Sequence, residues 1–185
     1  MKKVLFLDLE ETIINDFNEM RVVNGSVVKE FVAKEKFDEI HIFSFAIWDD
    51  NDVDKTASVI IPFLNKLLGS NIETKVMKVS DMQAIVQKNF RIFFDFDWEF
   101  STTFNKDGVF QKVAPVLFPG CEIVLLDDTV ENSSTELFDT KTKLRMVNVN
   151  NIISEKTEVE KLRQALLDIK NGKDAPCAIV NRVLG

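Results

Sequence analysis

The chain has no tyrosine, a single histidine, two cysteines, four prolines and six glycines among its 185 residues. Two cysteines, Cys121 and Cys177, support no disulfide framework, and with one histidine they support no Cys/His zinc site. Positive charge is also scarce: 23 lysines and arginines stand against 30 acids, for a formal charge of -7. That balance argues against a broad, nonspecific grip on nucleic acid, which needs a basic face. No apolar run approaches the roughly 18 residues of a membrane span. Met1-Lys2-Lys3 and four apolar residues before Asp8 are too short for a signal peptide, so a cytoplasmic, reducing setting is expected. No internal repeat or low-complexity stretch is present. The sixteen phenylalanines carry no functional reading of their own.

With 45% hydrophobic and 29% charged residues, the chain reads as one folded domain, its core over about 3–170. "VLFL" (4–7), "IHIFSF" (40–45), "ETKVMKV" (73–79), "IVLLDD" (123–128) and "LRMVNV" (144–149) read as strands. The first is too continuous for a half-exposed strand and suits the interior of a parallel sheet. Helical spacing predicts helices over 53–68, ending before Gly69, and over 80–87, capped by Ser80-Asp81. A third is predicted over 154–170, with Ser154 as its cap and a solvated polar face. Alternation of strands and helices predicts an α/β fold, a doubly wound parallel sheet. Asn24-Gly25 predicts a hairpin flap over 20–28. The aromatic stretch 90–104 predicts an inserted hairpin or extra strand, and 172–185 a tail packing Ile179 and Val180 on the core.

Asp8 follows the first strand, and Asp127 and Asp128 end another. If both strands are central and parallel, the three carboxylates meet at the sheet edge where such folds bind ligands. Unscreened carboxylates repel, so a hard cation among them is expected. Mg²⁺ suits the role because it takes one or two carboxylates together with phosphate and water. Ser44, at the end of the second strand, directs a hydroxyl into the same space. Lys112, shortly before the "IVLLDD" strand, supplies a positive charge, and Lys106 competes with it for that role. Carboxylate, hydroxyl, lysine and metal together are what phosphoryl transfer through an aspartyl-phosphate needs.

"DLEET" (8–12), "IFS" (42–44), Lys112 and "LLDDTVEN" (125–132), in that order, resemble the haloacid dehalogenase superfamily of phosphohydrolases. The likeness covers roughly residues 3–150, and "DLEET" is similar to the Asp-Leu-Asp-Glu-Thr wording of its phosphoprotein phosphatase branch. The resemblance implies a Rossmann-like core with Asp8 as nucleophile and metal ligand. It implies Asp127 or Asp128 as the other metal carboxylate and the Glu10 backbone carbonyl as a further ligand. By the same likeness Ser44 and Lys112 bind the phosphoryl group, Thr12 buttresses the loop after the first strand, and Asn132 holds the loop after Asp128. The family's general acid/base is an aspartate two residues after the nucleophile, whereas this chain has Glu10. The extra methylene displaces the carboxyl group by more than about an angstrom, enough to cost about 10²-fold in rate. A slow phosphatase, one with a shifted site, and a relative that only binds a phosphorylated partner all suit Glu10.

No interval is long enough for a separate cap domain, so an open site is expected, suited to a phosphorylated substrate that is large or macromolecular, and less to nucleic acid. A second subunit could cover such a site, so an oligomer is compatible with it. "DFDWE" (95–99) shares the Asp-x-Asp look but lacks the following threonine, and reads as an exposed strand edge. His41 reads as a packed core residue, Cys121 as a small buried one, and the acids Asp49, Asp50, Asp52 and Asp54 as helix capping and solvation. A phosphate-accepting signalling receiver uses similar groups, but with its acidic pair on the first strand, the reverse of the order here.

Overall fold

A computed structural model of the chain describes residues 1–69, 72–93, 100, 104–138 and 140–171. The chain divides into two compact units, 1–149 and 150–185. The first is built on a six-stranded sheet: β1 (Lys3–Leu7), β2 (Glu39–Phe43), β3 (Glu73–Met77), β4 (Glu122–Asp127), β5 (Ser133–Leu137) and β6 (Thr142–Asn148). Their spatial order is β3-β2-β1-β4-β6-β5, parallel throughout except for the antiparallel β5–β6 pair. The five strands expected from the sequence are all present, with ends shifted by at most two residues. Their central members are buried on both faces, as continuous apolar runs require.

Helices α1 (Gly25–Glu35), α2 (Asp50–Lys55) and α3 (Ile61–Leu68) lie in the β1–β2 and β2–β3 connections. A π-helical turn, Thr56–Ile60, joins α2 to α3. Helices α4 (Val79–Phe90) and α5 (Lys106–Leu117) lie between β3 and β4. The chain steps outward from β1 to β3 and then returns to the other side of β1. Right-handed crossovers therefore put α1 to α3 on one face of the sheet and α4 and α5 on the other. On the second face Val4, Phe6, Phe43, Ile123 and Leu125 pack with Val86 of α4 and Phe110 of α5. The phenylalanines have their use there: the Phe6 ring meets Phe43 and Phe110 edge-on at 5.4 and 5.5 Å.

The expected hairpin lies elsewhere. Gly25 opens α1, and Asn24 donates through its side chain to the Glu11 carbonyl at 2.9 Å instead of making a turn. A hairpin spans residues 13–23, with Ile14 bridged to Val22. The Asn15 N–H donates to the Arg21 carbonyl at 2.8 Å, and the Val23 N–H to the Ile13 carbonyl at 3.1 Å. Asp16 makes its turn: one carboxylate oxygen accepts from the N–H groups of Asn18 and Glu19, both at 2.7 Å. Asp49 and Asp52 cap α2 as the acidic run suggested, and Asp81 accepts from the Lys78 N–H at the start of α4, one to two residues before the expected Ser80 cap.

Most of the aromatic stretch 90–104 and all of the tail 172–185 lie outside the described residues; Phe90 ends α4 and Phe100 is fully buried. In the second unit, α6 (Val149–Lys170) runs to Lys170 but begins five residues before Ser154, whose hydroxyl donates to the Asn150 carbonyl at 2.9 Å inside the helix. No helix among the described residues is long and apolar enough to cross a membrane.

Candidate active site

The register of the sheet places the carboxylates. Leu7 of β1 pairs with Leu126 of β4 on one side and Ile42 of β2 on the other. Asp8, Ser44 and Asp127 therefore meet at the same carboxyl edge, and the Asp8 N–H donates to the Leu126 carbonyl at 3.1 Å. The connections leave β1 and β4 in opposite directions, and that reversal is the position at which open α/β sheets bind ligands.

Both carboxylates are buried, Asp8 at 1% exposure and Asp127 at 0%. One oxygen of each is oriented by a hydroxyl. The Thr12 hydroxyl donates to Asp8 Oδ2 at 3.1 Å, and the Thr129 hydroxyl and N–H donate to Asp127 Oδ1 at 2.6 and 2.7 Å. The other two oxygens share one cation: Lys106 Nζ lies 2.8 Å from Asp8 Oδ1 and 2.9 Å from Asp127 Oδ2. These are ion pairs rather than well-directed hydrogen bonds, so both buried oxygens keep unused acceptor capacity. Burial pushes the Asp8 carboxyl up; Lys106 opposes this and Asp127 adds to it, leaving it at about 7. Burial and the neighbouring Asp127 charge also raise Asp128. Burial by itself would lower Lys106, but the charges of Asp8 and Asp127 outweigh it and hold the ammonium above its ordinary range.

Asp8, Asp127 and Asp128 each offer a carboxylate oxygen, all within 4.8 Å of one another. With all three carboxylates ionised, a single lysine leaves two excess negative charges on this edge. A divalent hard cation suits that donor set, and the unused buried oxygens of Asp8 and Asp127 are the atoms it would satisfy.

Lys112, the lysine preferred from the sequence, does not join the site. Its ammonium lies over the rings of Phe90 and Phe104, 5.6 and 5.7 Å from their centroids. The reason is helical geometry. Asn105 caps α5 by accepting from the Gly108 N–H at 3.3 Å, which makes Lys106 the first helical residue and aims it at the carboxyl edge. Six residues later, Lys112 is about 9 Å further along the axis. The Asn105 cap was the available signal.

Ser44 is buried, its hydroxyl oxygen accepting from the Ala46 N–H at 3.3 Å. Glu10 is half-buried, and its Oε1 accepts from the Phe17 N–H of the hairpin at 3.2 Å. Asn132 Oδ1 accepts from the Asn148 N–H at 2.7 Å. The Asn148 side chain in turn donates to the carbonyls of Asp128 and Val130 at 2.9 and 2.8 Å, so two asparagines tie the loop after β4 to the end of β6. Thr129 and Asn148 went unnoticed in the sequence. Thr129 was legible as a hydroxyl two residues after a carboxylate, a common local pairing. Asn148 shows itself only through the β4–β6 pairing.

An open cleft of about 460 Å³ adjoins Lys106, lined also by Asn105, Thr129, Glu131, Asn132 and Ser133. His41 is remote from this chemistry, on the strand face opposite to Ser44. It stacks on Phe6 at 5.4 Å and contacts Glu39 through Nε2 at 2.6 Å. Burial lowers its pKa and outweighs the opposing pull of Glu39. No family model, curated protein or solved structure matches the chain.

Proposed function

We propose that the chain is a Mg²⁺-dependent phosphohydrolase of the haloacid dehalogenase type, working through an aspartyl-phosphate on Asp8. The observation that carries this reading is the shared contact of Lys106 with Asp8 and Asp127, which leaves one buried oxygen of each without a directed hydrogen bond. The Thr12 hydroxyl holds Oδ2 of Asp8 and so fixes the orientation of the carboxylate that is to attack phosphorus.

Asp8, Asp127 and Asp128, with the Glu10 carbonyl, would hold the cation, which when bound supplies charge neutralisation for the phosphoryl oxygens. Asp8 attacks phosphorus, the ester P–O bond breaks, and its electron pair goes to the departing oxygen. Glu10 delivers its proton there. Lys106 and the Ser44 hydroxyl bind the phosphoryl oxygens. Ionised Glu10 then takes a proton from water, whose oxygen attacks phosphorus and releases Asp8 and inorganic phosphate. The wide cleft beside Lys106 suits an exposed phosphoryl group on a large substrate.

A second reading, a phosphate-binding relative without turnover, draws on the capture of Glu10 by the hairpin. Hydrolysis of p-nitrophenyl phosphate by the purified protein separates the two. Turnover that needs both Mg²⁺ and Asp8 supports the enzyme. Full turnover by Asp8→Asn, or none by folded wild type across a panel of phosphate esters, overturns it.

A further inference from the structure

We infer that Lys55 is a positioning residue for the general acid/base, clamping the 13–23 hairpin through Phe17, whose N–H fixes the Glu10 carboxyl group. This rests on the phosphohydrolase reading of the same site.

Phe17 is held at three points. Its N–H donates to Glu10 Oε1 at 3.2 Å, its carbonyl accepts from Lys55 Nζ at 2.7 Å, and its ring lies 4.4 Å beneath the same ammonium. The ring is buried at 9% exposure, so the clamp is partly shielded from water. The hairpin is braced internally by Asp16 and by the Asn15–Arg21 backbone pair, and so moves as a unit. Lys55 is the last residue of α2, immediately before the π-helical turn 56–60. Such turns insert one residue into a helix and often mark functional positions. Because α2 follows the loop that leaves Ser44, Lys55 links the phosphate-binding strand end to the hairpin that holds the acid.

Capture of Oε1 by an N–H leaves Oε2 as the oxygen that carries the proton when Glu10 is neutral. It also accounts for a glutamate here. Its extra methylene reaches an N–H that is already 3.2 Å away, and an aspartate, about an angstrom shorter, falls outside hydrogen-bond range. Glu10→Asp is therefore expected to lower turnover in this chain, not raise it.

The experiment compares phenyl phosphate, whose leaving group needs a proton, with 2,4-dinitrophenyl phosphate, whose leaving group does not. Lys55→Met is expected to lower kcat/KM with phenyl phosphate, which reports only the steps through phosphorylation of Asp8, by about tenfold or more while leaving kcat/KM for the dinitrophenyl ester near wild type, with Lys55→Arg restoring both. Amide hydrogen exchange at Phe17 is expected to speed up in Lys55→Met and in Glu10→Ala. Equal slowing of both esters, no slowing of either, or unchanged Phe17 exchange overturns the inference. If Asp8-dependent turnover persists in those cases, the phosphohydrolase reading stands without it. If wild type hydrolyses neither ester, that reading falls and takes the inference with it.

Discussion

At the scale of single residues, the buried pair Asp8 and Asp127 carries the proposed chemistry, and Lys106 decides whether they tolerate each other. Lys106→Met leaves two buried carboxylates without their cation. Activity is expected to fall by roughly 10²-fold or more and thermal stability to drop, whereas Lys112→Met, which removes only a contact with two rings, leaves turnover close to wild type. Asp8 also makes a pH signature. Its folded pKa of about 7 lies above the model-peptide value of 3.8, so between those limits the folded state keeps a proton that the unfolded chain has released. Metal-free wild type therefore loses stability relative to Asp8→Asn as pH rises from about 4 to 7, by at most about 1.4 kcal/mol per pH unit. Taking the difference between the two proteins cancels His41, whose lowered pKa gives the opposite slope in part of the window. Glu39 is cancelled likewise: burial would raise it, but hydrogen bonds from Lys2, Lys75 and His41 hold it at about 2. Parallel stability curves for wild type and Asp8→Asn over this range would contradict the proposed ionisation. Asp8, Asp127, Ser44 and Thr12 were legible because each sits at or just after a strand end. Lys106 was weighed but ranked second, because a lysine's reach depends on where its helix begins.

At the scale of elements, capping residues connect local sequence to the site. Asn105→Ala removes the cap of α5 and is expected to cost about 1 kcal/mol. It also frees the first turn that aims Lys106, so kcat should fall by more than the stability loss explains. Asp81→Ala weakens the start of α4 by a similar mechanism without touching Lys106 or the carboxylates, and serves as the control. Equal kcat in the two variants would show that the Asn105 cap does not position Lys106. The misread elements share one cause, competition between local signals. Asn24-Gly25 is a strong turn signal, but its asparagine is bonded to the Glu11 carbonyl and its glycine opens α1. Ser154 resembles a cap, yet its hydroxyl bonds back to the Asn150 carbonyl within a helix that begins at Val149. β5, "SSTEL", was missed because an exposed, polar edge strand has no apolar alternation to betray it; only its antiparallel pairing with β6 defines it.

At the scale of the whole molecule, the strand order brings distant carboxylates together, and their mutual repulsion is the test of the cation. Continuous apolar runs made the parallel sheet legible, while the order β3-β2-β1-β4-β6-β5 depends on crossovers that no single segment encodes. The chain carries a net charge of -7, and three of its carboxylates converge within 4.8 Å of one another on one edge. Mg²⁺ binding to the folded state alone stabilises by mass action, about 2.7 kcal/mol at a hundredfold excess over Kd. The expected result is a thermal midpoint that rises with Mg²⁺ and reverts on chelation. The gain should be greatest above pH 7, where Asp8 is ionised without added metal and repulsion is at its worst, and should shrink toward pH 5, where the cation must displace a proton. Asp127→Asn should remove most of the Mg²⁺ response while raising the midpoint of the metal-free protein, because it relieves the same repulsion. Opposite signs with and without metal distinguish a cation site from a general effect of ionic strength, which would move wild type and Asp127→Asn together.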